Sequence, residues 1–387
     1  MRLNPIFQTM PVTVFETMSG LARQHDAINL GQGFPDAAGP EDLRRRAADA
    51  VLTGSNQYAP SRGLGELRAA VVEHYVRLQG VPLSVEGVCV TSGATEAIAA
   101  SLLAVIRPGD EVIVFEPAYD AYRPLIERGG GTVRVVRLIP PLWRITPEAL
   151  ARAVGPRTRA VVFNSPHNPT GRAFDTVEVA AVAALCIAHD LIAISDEVWE
   201  HVIFDGRRHI SLLSQPGMVD RVIKIGSAGK MFGLTGWKIG FACGAPELID
   251  AVAKAHQFLT FATPPNLQSA VAEGLAWPQD RFEAMRADLG RSRDRLAAGL
   301  LAQGYVCAES EGTYFLCLDL AASGLDIDDQ AFCSRSVSEF GVAAIPVSSF
   351  EADTASGTIV RLCFAKGDAV LDEAIRRLSV ARSRMQA

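Results

Sequence analysis

Between residues 85 and 245, short apolar runs rich in β-branched residues alternate with helical stretches. No other feature of the chain constrains its fold so strongly. The runs lie at 88–91, 111–115, 132–136, 159–163, 191–195, 222–225 and 239–243, and the helices between them include 95–106 and 177–189. Strand–helix alternation of this kind predicts a mostly parallel sheet covered on both faces. Such sheets bind ligands at the carboxyl ends of their strands. Polar residues at the ends of these runs are therefore the first candidates for chemistry.

Three stretches answer that description, and Arg361 further on is a fourth candidate. After the run at 222–225 comes Ser227-Ala228-Gly229-Lys230, with Lys238 eight residues further on. Lys230 is expected on a turn at a strand's end, among small and apolar residues that disfavour its ammonium and lower its pKa, as an amine nucleophile requires. Ser227 and Lys238 are placed to hold an anion beside it. The plainer alternative is a surface lysine in a glycine-rich loop. Thr91-Ser92-Gly93-Ala94-Thr95-Glu96 joins a strand to a helix, where small residues and a helix N-terminus make a phosphate cup. An ordinary N-cap by Ser92 or Thr95 is compatible with it. Asp196 ends a buried run, where a carboxylate is costly without a cationic partner, and Glu197 is the alternative for that role. Glu197, Glu200 and His201 raise the thought of a metal, but no complete ligand set with standard spacing accompanies them, so none is expected. Arg361 lies in the apolar run 359–364 and needs an anion, either a substrate carboxylate or a structural ion pair. Gly31-Gln32-Gly33 lacks the third glycine and the following helix of a dinucleotide fingerprint.

The spacing Ser227-x-x-Lys230, then Thr235-Gly236-Trp237-Lys238-x-Gly240, resembles the lysine signature of the class I and II aminotransferases, which use pyridoxal 5'-phosphate (PLP). The resemblance runs in order over nearly the whole chain. It implies an α/β, fold-type I PLP transferase: a large domain with a mostly parallel sheet at 46–274, and a smaller α+β domain built from 1–45 and 275–387. Residue by residue it implies that Lys230 carries the cofactor as a Schiff base and acts as the catalytic base. Asp196 pairs with the pyridine nitrogen and keeps the ring an electron sink. Gly93, Ala94, Thr95, Ser227 and Lys238 surround the phosphate. Tyr119 stacks on the ring, with Tyr122 a wall or core residue. Asn168, in Asn168-Pro169-Thr170-Gly171, donates to the phenolic oxygen. Gly33, Asn168 and Arg361 take the substrate, Arg361 as a bidentate carboxylate clamp, and 312–315 borders the same pocket. Tyr58 crosses to the neighbouring subunit of a homodimer.

Two positions depart from the pattern. Trp199 stands where tyrosine is usual, and an indole N–H only donates. Lys238 stands where many relatives carry arginine. No arginine occurs between Arg221 and Arg281, where aspartate aminotransferases place one for the substrate's side-chain carboxylate, and Phe258 and Phe261 offer apolar surface there unless they are helix core. Large neutral or aromatic amino acids of the methionine, glutamine and kynurenine type are the expected donors, with a 2-oxo acid as acceptor. An N-succinyldiaminopimelate enzyme would need a further cation such as Arg62 or Lys254. An aspartate-type aminotransferase, a cysteine-conjugate β-lyase and a non-catalytic protein of the same fold are the other readings.

Composition bounds the partners. A net charge of −6 over 387 residues argues against nucleic acid. The seven cysteines lack paired spacing, and Cys89, Cys243, Cys317 and Cys363 sit in apolar runs, which suits a reducing cytoplasm. No uncharged apolar run approaches 18 residues, so no membrane span is expected.

Overall fold

The computed structural model describes residues 4–353 and 357–386. Seven strands form the central sheet: β1 Val88–Ser92, β2 Glu111–Glu116, β3 Thr132–Arg137, β4 Thr158–Asn164, β5 Ile192–Asp196, β6 Val222–Ser227 and β7 Ile239–Gly244. Their order is β1-β7-β6-β5-β4-β2-β3. All neighbours are parallel except β7, which runs antiparallel to both β1 and β6. Helices cover both faces, so β2, β6 and β7 are buried along their whole length and read as continuous apolar runs. The helix Thr176–Ala188 starts at a capping box, in which Asp175 and Glu178 satisfy each other's backbone N–H groups.

The sheet's topology brings its polar ends together. Asn164 and Asp196 are register partners at the carboxyl ends of β4 and β5. Ser227 at the end of β6 opposes Gly240, and Ser92 at the end of β1 opposes Ile239. Because β7 is reversed, its first residues lie at this same edge, and Lys238 immediately before it arrives beside Ser92 and Ser227. A purely parallel sheet would have sent Lys238 to the other end.

The chain after 275 begins with the helix Gln279–Ala302 and builds a four-stranded antiparallel sheet ordered Ile345–Pro346, Ile359–Cys363, Phe315–Asp319, Val306–Cys307. Arg361 lies in its middle, opposite Cys317 and Ile345. The stretch 342–346 divides between two sheets: Val342–Ala343 pairs in parallel with Ile28–Asn29, and Ile345–Pro346 joins the four-stranded sheet. The N-terminal segment is thereby stitched to this part of the chain. All seven cysteines are free, and all but Cys307 are buried. Among the described residues no helix is long and apolar enough to cross a membrane.

Candidate active site

A cavity of about 460 Å³ opens at the carboxyl ends of the central strands, roofed by the segment 32–34 and by Phe315 and Arg361. Of the residues singled out in the sequence, Gly33, Gly93, Ala94, Thr95, Tyr119 and Asn168 line it, as do Asp196, Ser227, Lys230, Lys238 and Arg361.

Lys230 sits on a four-residue helix, Ala228–Met231, and not on an open turn. Ser227 caps that helix, its Oγ accepting from the Lys230 N–H at 3.4 Å. The side chain is thus launched from a fixed backbone at the end of β6. Its Nζ donates to the Gly33 carbonyl and to the Tyr314 hydroxyl, each at 3.1 Å. Burial pulls the amine down to about 8.

The anion end is built from backbone. The helix Gly93–Val105 opens at Gly93 with φ +78°, and no side chain caps it. Its first N–H groups are therefore available to an anion. Ser92 occupies the N-cap position, but its hydroxyl makes no capping hydrogen bond; Glu96 Oε2 accepts from the Ser92 N–H at 2.6 Å. Lys238 adopts the left-handed conformation, φ 54°. A Cβ on Gly93 would stand 3.0 Å from Lys238 Nζ, which measures how closely the ammonium lies against the loop. Gly240 has a stricter reason to be glycine, since a Cβ there would meet Gly93 C at 2.5 Å and Ala94 N at 2.7 Å.

Asp196 is buried, and its Oδ2 accepts from the Tyr122 hydroxyl at 2.6 Å. Its Oδ1 accepts from the Val198 N–H at 3.3 Å. Burial pushes the carboxyl up to about 6, against the Tyr122 and Val198 donors that lower it. Tyr122, expected as wall or core, is thus a polar partner of the site. Tyr119 and Tyr122 meet edge-on at 5.6 Å, and the Tyr119 hydroxyl lies 3.3 Å from Thr95 Oγ1.

Arg361 is 1% exposed, and among the described residues no carboxylate pairs with it. Its Nη1 donates to Asn168 Oδ1 at 2.8 Å and its Nη2 to the Gly31 carbonyl at 3.0 Å. Among the described residues its Nε has no hydrogen-bond partner. Burial lowers the guanidinium's pKa to about 10. A buried cation with open donors is a binding group for an anion. Asn168 is itself oriented: its N–H donates to Asn164 Oδ1 at 2.8 Å, its Oδ1 accepts from Arg361, and among the described residues nothing takes its Nδ2 donors.

Other sequence candidates lie elsewhere. Tyr58 is 88% exposed and touches Phe261 edge-on at 5.4 Å, outside the cavity of its own chain. Phe258, 85% exposed, and Phe261 are surface residues here, neither helix core nor cavity wall. Arg62 and Lys254 also stand off the cavity and converge on Asp250 at 3.8 and 2.6 Å. Glu197 points away from the site, and with Glu200 it holds the buried Lys224 ammonium at 2.5 and 2.6 Å. Burial pushes the Glu197 carboxyl up, but Lys224 and His209 outweigh it and hold it well below the usual carboxylate range. The charge that a metal would bring to Glu197 and Glu200 is supplied by Lys224. His201 turns instead to His74, with the two Nε2 atoms 3.0 Å apart.

A buried acid, a depressed lysine, an uncapped helix N-terminus with a lysine beside it and an unpaired arginine in one cavity define an α/β enzyme that handles an anionic cofactor and a carboxylate substrate. Comparison with known proteins gives the family. The sequence model described as "Aminotransferase class I and II" matches residues 25–378. The chain is 46% identical over 385 residues, 96% of each chain, to a Mycobacterium tuberculosis (strain ATCC 25618 / H37Rv) protein named "Probable N-succinyldiaminopimelate aminotransferase DapC". It is 42% identical over 368 residues, 95% of each chain, to the Escherichia coli (strain K12) methionine aminotransferase. The solved structure of the N-succinyldiaminopimelate aminotransferase from Mycobacterium tuberculosis superposes with a TM-score of 0.95 at 46% identity, covering 98% of this chain and 100% of that one. The chain belongs to the class I and II aminotransferases. It has the fold-type I architecture and is a PLP-dependent aminotransferase. The cavity fits that cofactor: Asp196 is a buried carboxylate with no cationic hydrogen-bond partner among the described residues, and the Gly93 loop offers uncapped N–H groups beside Lys238.

Proposed function

We propose that this enzyme moves the α-amino group of a large neutral or aromatic amino acid, of the methionine, glutamine and kynurenine type, to a 2-oxo acid. The observation that carries the reading is the cavity's cation inventory. Among the described residues its cations are Lys230, Lys238 and Arg361. Lys238 serves the cofactor phosphate, Arg361 the substrate α-carboxylate and Lys230 the chemistry. No cation remains for a side-chain carboxylate, and Phe15, Phe34, Ile98 and Phe315 present apolar wall. A second reading, an N-succinyldiaminopimelate donor, draws on the Mycobacterium tuberculosis relative. It requires the second subunit to bring the missing cation.

In this reading the bound cofactor supplies an electron-withdrawing ring that makes the substrate's Cα–H bond acidic. The protein's residues do the rest. Arg361 clamps the α-carboxylate and so sets which Cα bond faces the ring. Asn168, held by Asn164 and Arg361 in the cavity wall, would donate from its Nδ2. Asp196, its ionised form favoured by the Tyr122 hydroxyl, would pair with the ring nitrogen. Lys230, carried on its short helix, would take the Cα proton onto Nζ and give a proton up to the carbon on the far side of the amino nitrogen. A lysine lowered to about 8 is neutral often enough near pH 7 to take that proton.

The parts 46–274 and 1–45 with 275–387 would act as large and small domains closing on the substrate. A second copy of the chain would cover Tyr58, Phe258 and Phe261, an exposed aromatic group on one chain, and would bring its Tyr58 to the neighbour's phosphate.

The test is a half-reaction without acceptor. Methionine, kynurenine, aspartate and N-succinyldiaminopimelate are each mixed with the holoenzyme while the cofactor spectrum and the keto-acid product are followed. Methionine or kynurenine converting fastest supports the proposal. Aspartate or N-succinyldiaminopimelate converting fastest contradicts it, and release of pyruvate, ammonia and thiol from a cysteine conjugate would make the enzyme a β-lyase.

A further inference from the structure

Trp199 replaces the tyrosine that the resemblance leads one to expect, and the structure gives the indole a definite position. It is 2% exposed, with Tyr314 edge-on at 4.3 Å and Phe315 edge-on at 5.4 Å. Its face lies 4.7 Å from Lys230 Nζ. The same Nζ donates to the Gly33 carbonyl and the Tyr314 oxygen, each at 3.1 Å, while the Tyr314 hydroxyl donates to Gly33 O at 2.5 Å. Tyr314 therefore turns a lone pair towards the lysine. An ammonium has three donors and no acceptor. Here it meets two oxygens and one electron-rich ring face, each of which favours the charged over the neutral amine.

We propose that Gly33 O, Tyr314 Oη and the Trp199 face form a cage that receives the Lys230 ammonium whenever that side chain is free of the cofactor. The inference rests on the reading of Lys230 as the cofactor lysine. In the reaction the free amine takes the Cα proton and becomes an ammonium. The cage holds that proton on Nζ until it is delivered, with no water needed to solvate the charge. Trp199 and Tyr314 are positioning residues, acting through Lys230. The other charged groups around Nζ are Asp196, which favours the ammonium, and Arg361 and Lys238, which oppose it; the Cys363 thiol lies close by. The cage works against the Arg361 and Lys238 charges and against burial. The indole thus adds a ring face to the lysine's surroundings where a tyrosine would bring a hydroxyl.

The experiment uses full-length holoenzyme in two forms. Converted to the amine form of its cofactor, the enzyme has Lys230 free; in the resting aldehyde form Lys230 is engaged. Reductive methylation with isotopic formaldehyde, followed by peptide mass analysis across pH, gives the titration of Lys230 alone. Wild type, Trp199→Leu and Tyr314→Phe are compared, with melting temperature and circular dichroism confirming that each is folded. Loss of a cage member removes stabilisation of the ammonium, so the titration midpoint in the amine form should fall by about half a pH unit or more in each variant. Unchanged midpoints in both folded variants overturn the cage, and a fall in Tyr314→Phe alone overturns the part given to the indole. Equal labelling of Lys230 in the resting and amine forms would instead overturn the cofactor-lysine reading on which the cage rests, so the two failures are told apart.

Discussion

The Tyr122 hydroxyl donates to Asp196 Oδ2 at 2.6 Å, and both groups are buried. This bond is one of two that oppose the upward push of burial on the carboxyl, which stands at about 6. Tyr122→Phe removes it without opening a cavity. The Asp196 pKa should then rise further, because a donor to the ionised form is lost. The ionised carboxylate is the form that pairs with a protonated ring nitrogen, so the acid limb of the rate profile should move to higher pH. A hydrogen bond to a charged group contributes about 1.5–3 kcal/mol, so kcat/KM should fall about tenfold or more. Steady-state kinetics of the variant across pH 5 to 9 checks both.

Gly240 packs its Cα against the backbone of the Gly93 loop, where a Cβ would overlap Gly93 C at 2.5 Å. Backbone cannot step aside as a flexible side chain can. Gly240→Ala should push the helix N-terminus away from Lys238 and raise the cofactor's dissociation constant at least about tenfold, the equivalent of a 1.4 kcal/mol loss. Equilibrium dialysis of cofactor from the variant checks it.

His256 is held by two acceptors, Glu96 Oε1 at 2.7 Å and the Ser61 carbonyl at 2.8 Å, with the Thr260 hydroxyl 3.3 Å from Nδ1. Burial lowers its pKa, but Glu96 outweighs burial and the net shift is upward. A histidine whose folded pKa is raised contributes stability that is fully present below its unfolded value of about 6.5. That contribution is lost as pH rises through the raised folded value. Melting temperature should therefore decline above pH 6.5 more steeply in wild type than in Glu96→Gln. The two curves running parallel would count against the ion pair.

Lys224 lies in β6 with no exposure and faces two carboxylates. Lys224→Met keeps much of the volume but leaves Glu197 and Glu200 adjacent without the ammonium between them. Removing one partner of a buried ionic group costs about 3–5 kcal/mol. The denaturation midpoint should drop accordingly, while cofactor affinity at low temperature changes little, since this cluster lies outside the cavity. A retained midpoint would show that the carboxylates protonate or rehydrate at small cost.

Much of the central sheet was legible because its strands are buried on both faces and announce themselves as apolar runs. The polar residues that end those runs, Asn164, Asp196 and Ser227, stand out for the same reason. What periodicity could not convey was direction and distance. Nothing local in Ile239–Gly244 says that this strand is reversed, yet the reversal puts Lys238 in the cavity. Tyr122 looks like an ordinary aromatic on a short helix until the fold brings Asp196 to it across 74 positions. Glu197 and Asp196 are neighbours in sequence, but they project to opposite sides of the strand end, and only Asp196 enters the cavity. Phe258 and Phe261 carry an apolar signal that reads equally as core or pocket. The fold puts them on the surface, where a second chain would be needed to bury them.

The account turns on Lys230, and trapping tests it most directly. Resting holoenzyme is treated with sodium borohydride, digested and mapped by mass spectrometry. The account predicts the reduced cofactor on the peptide containing Lys230, and no trapping in Lys230→Ala. Cofactor on another lysine, Lys224 and Lys238 included, or trapping that persists in Lys230→Ala, would contradict it.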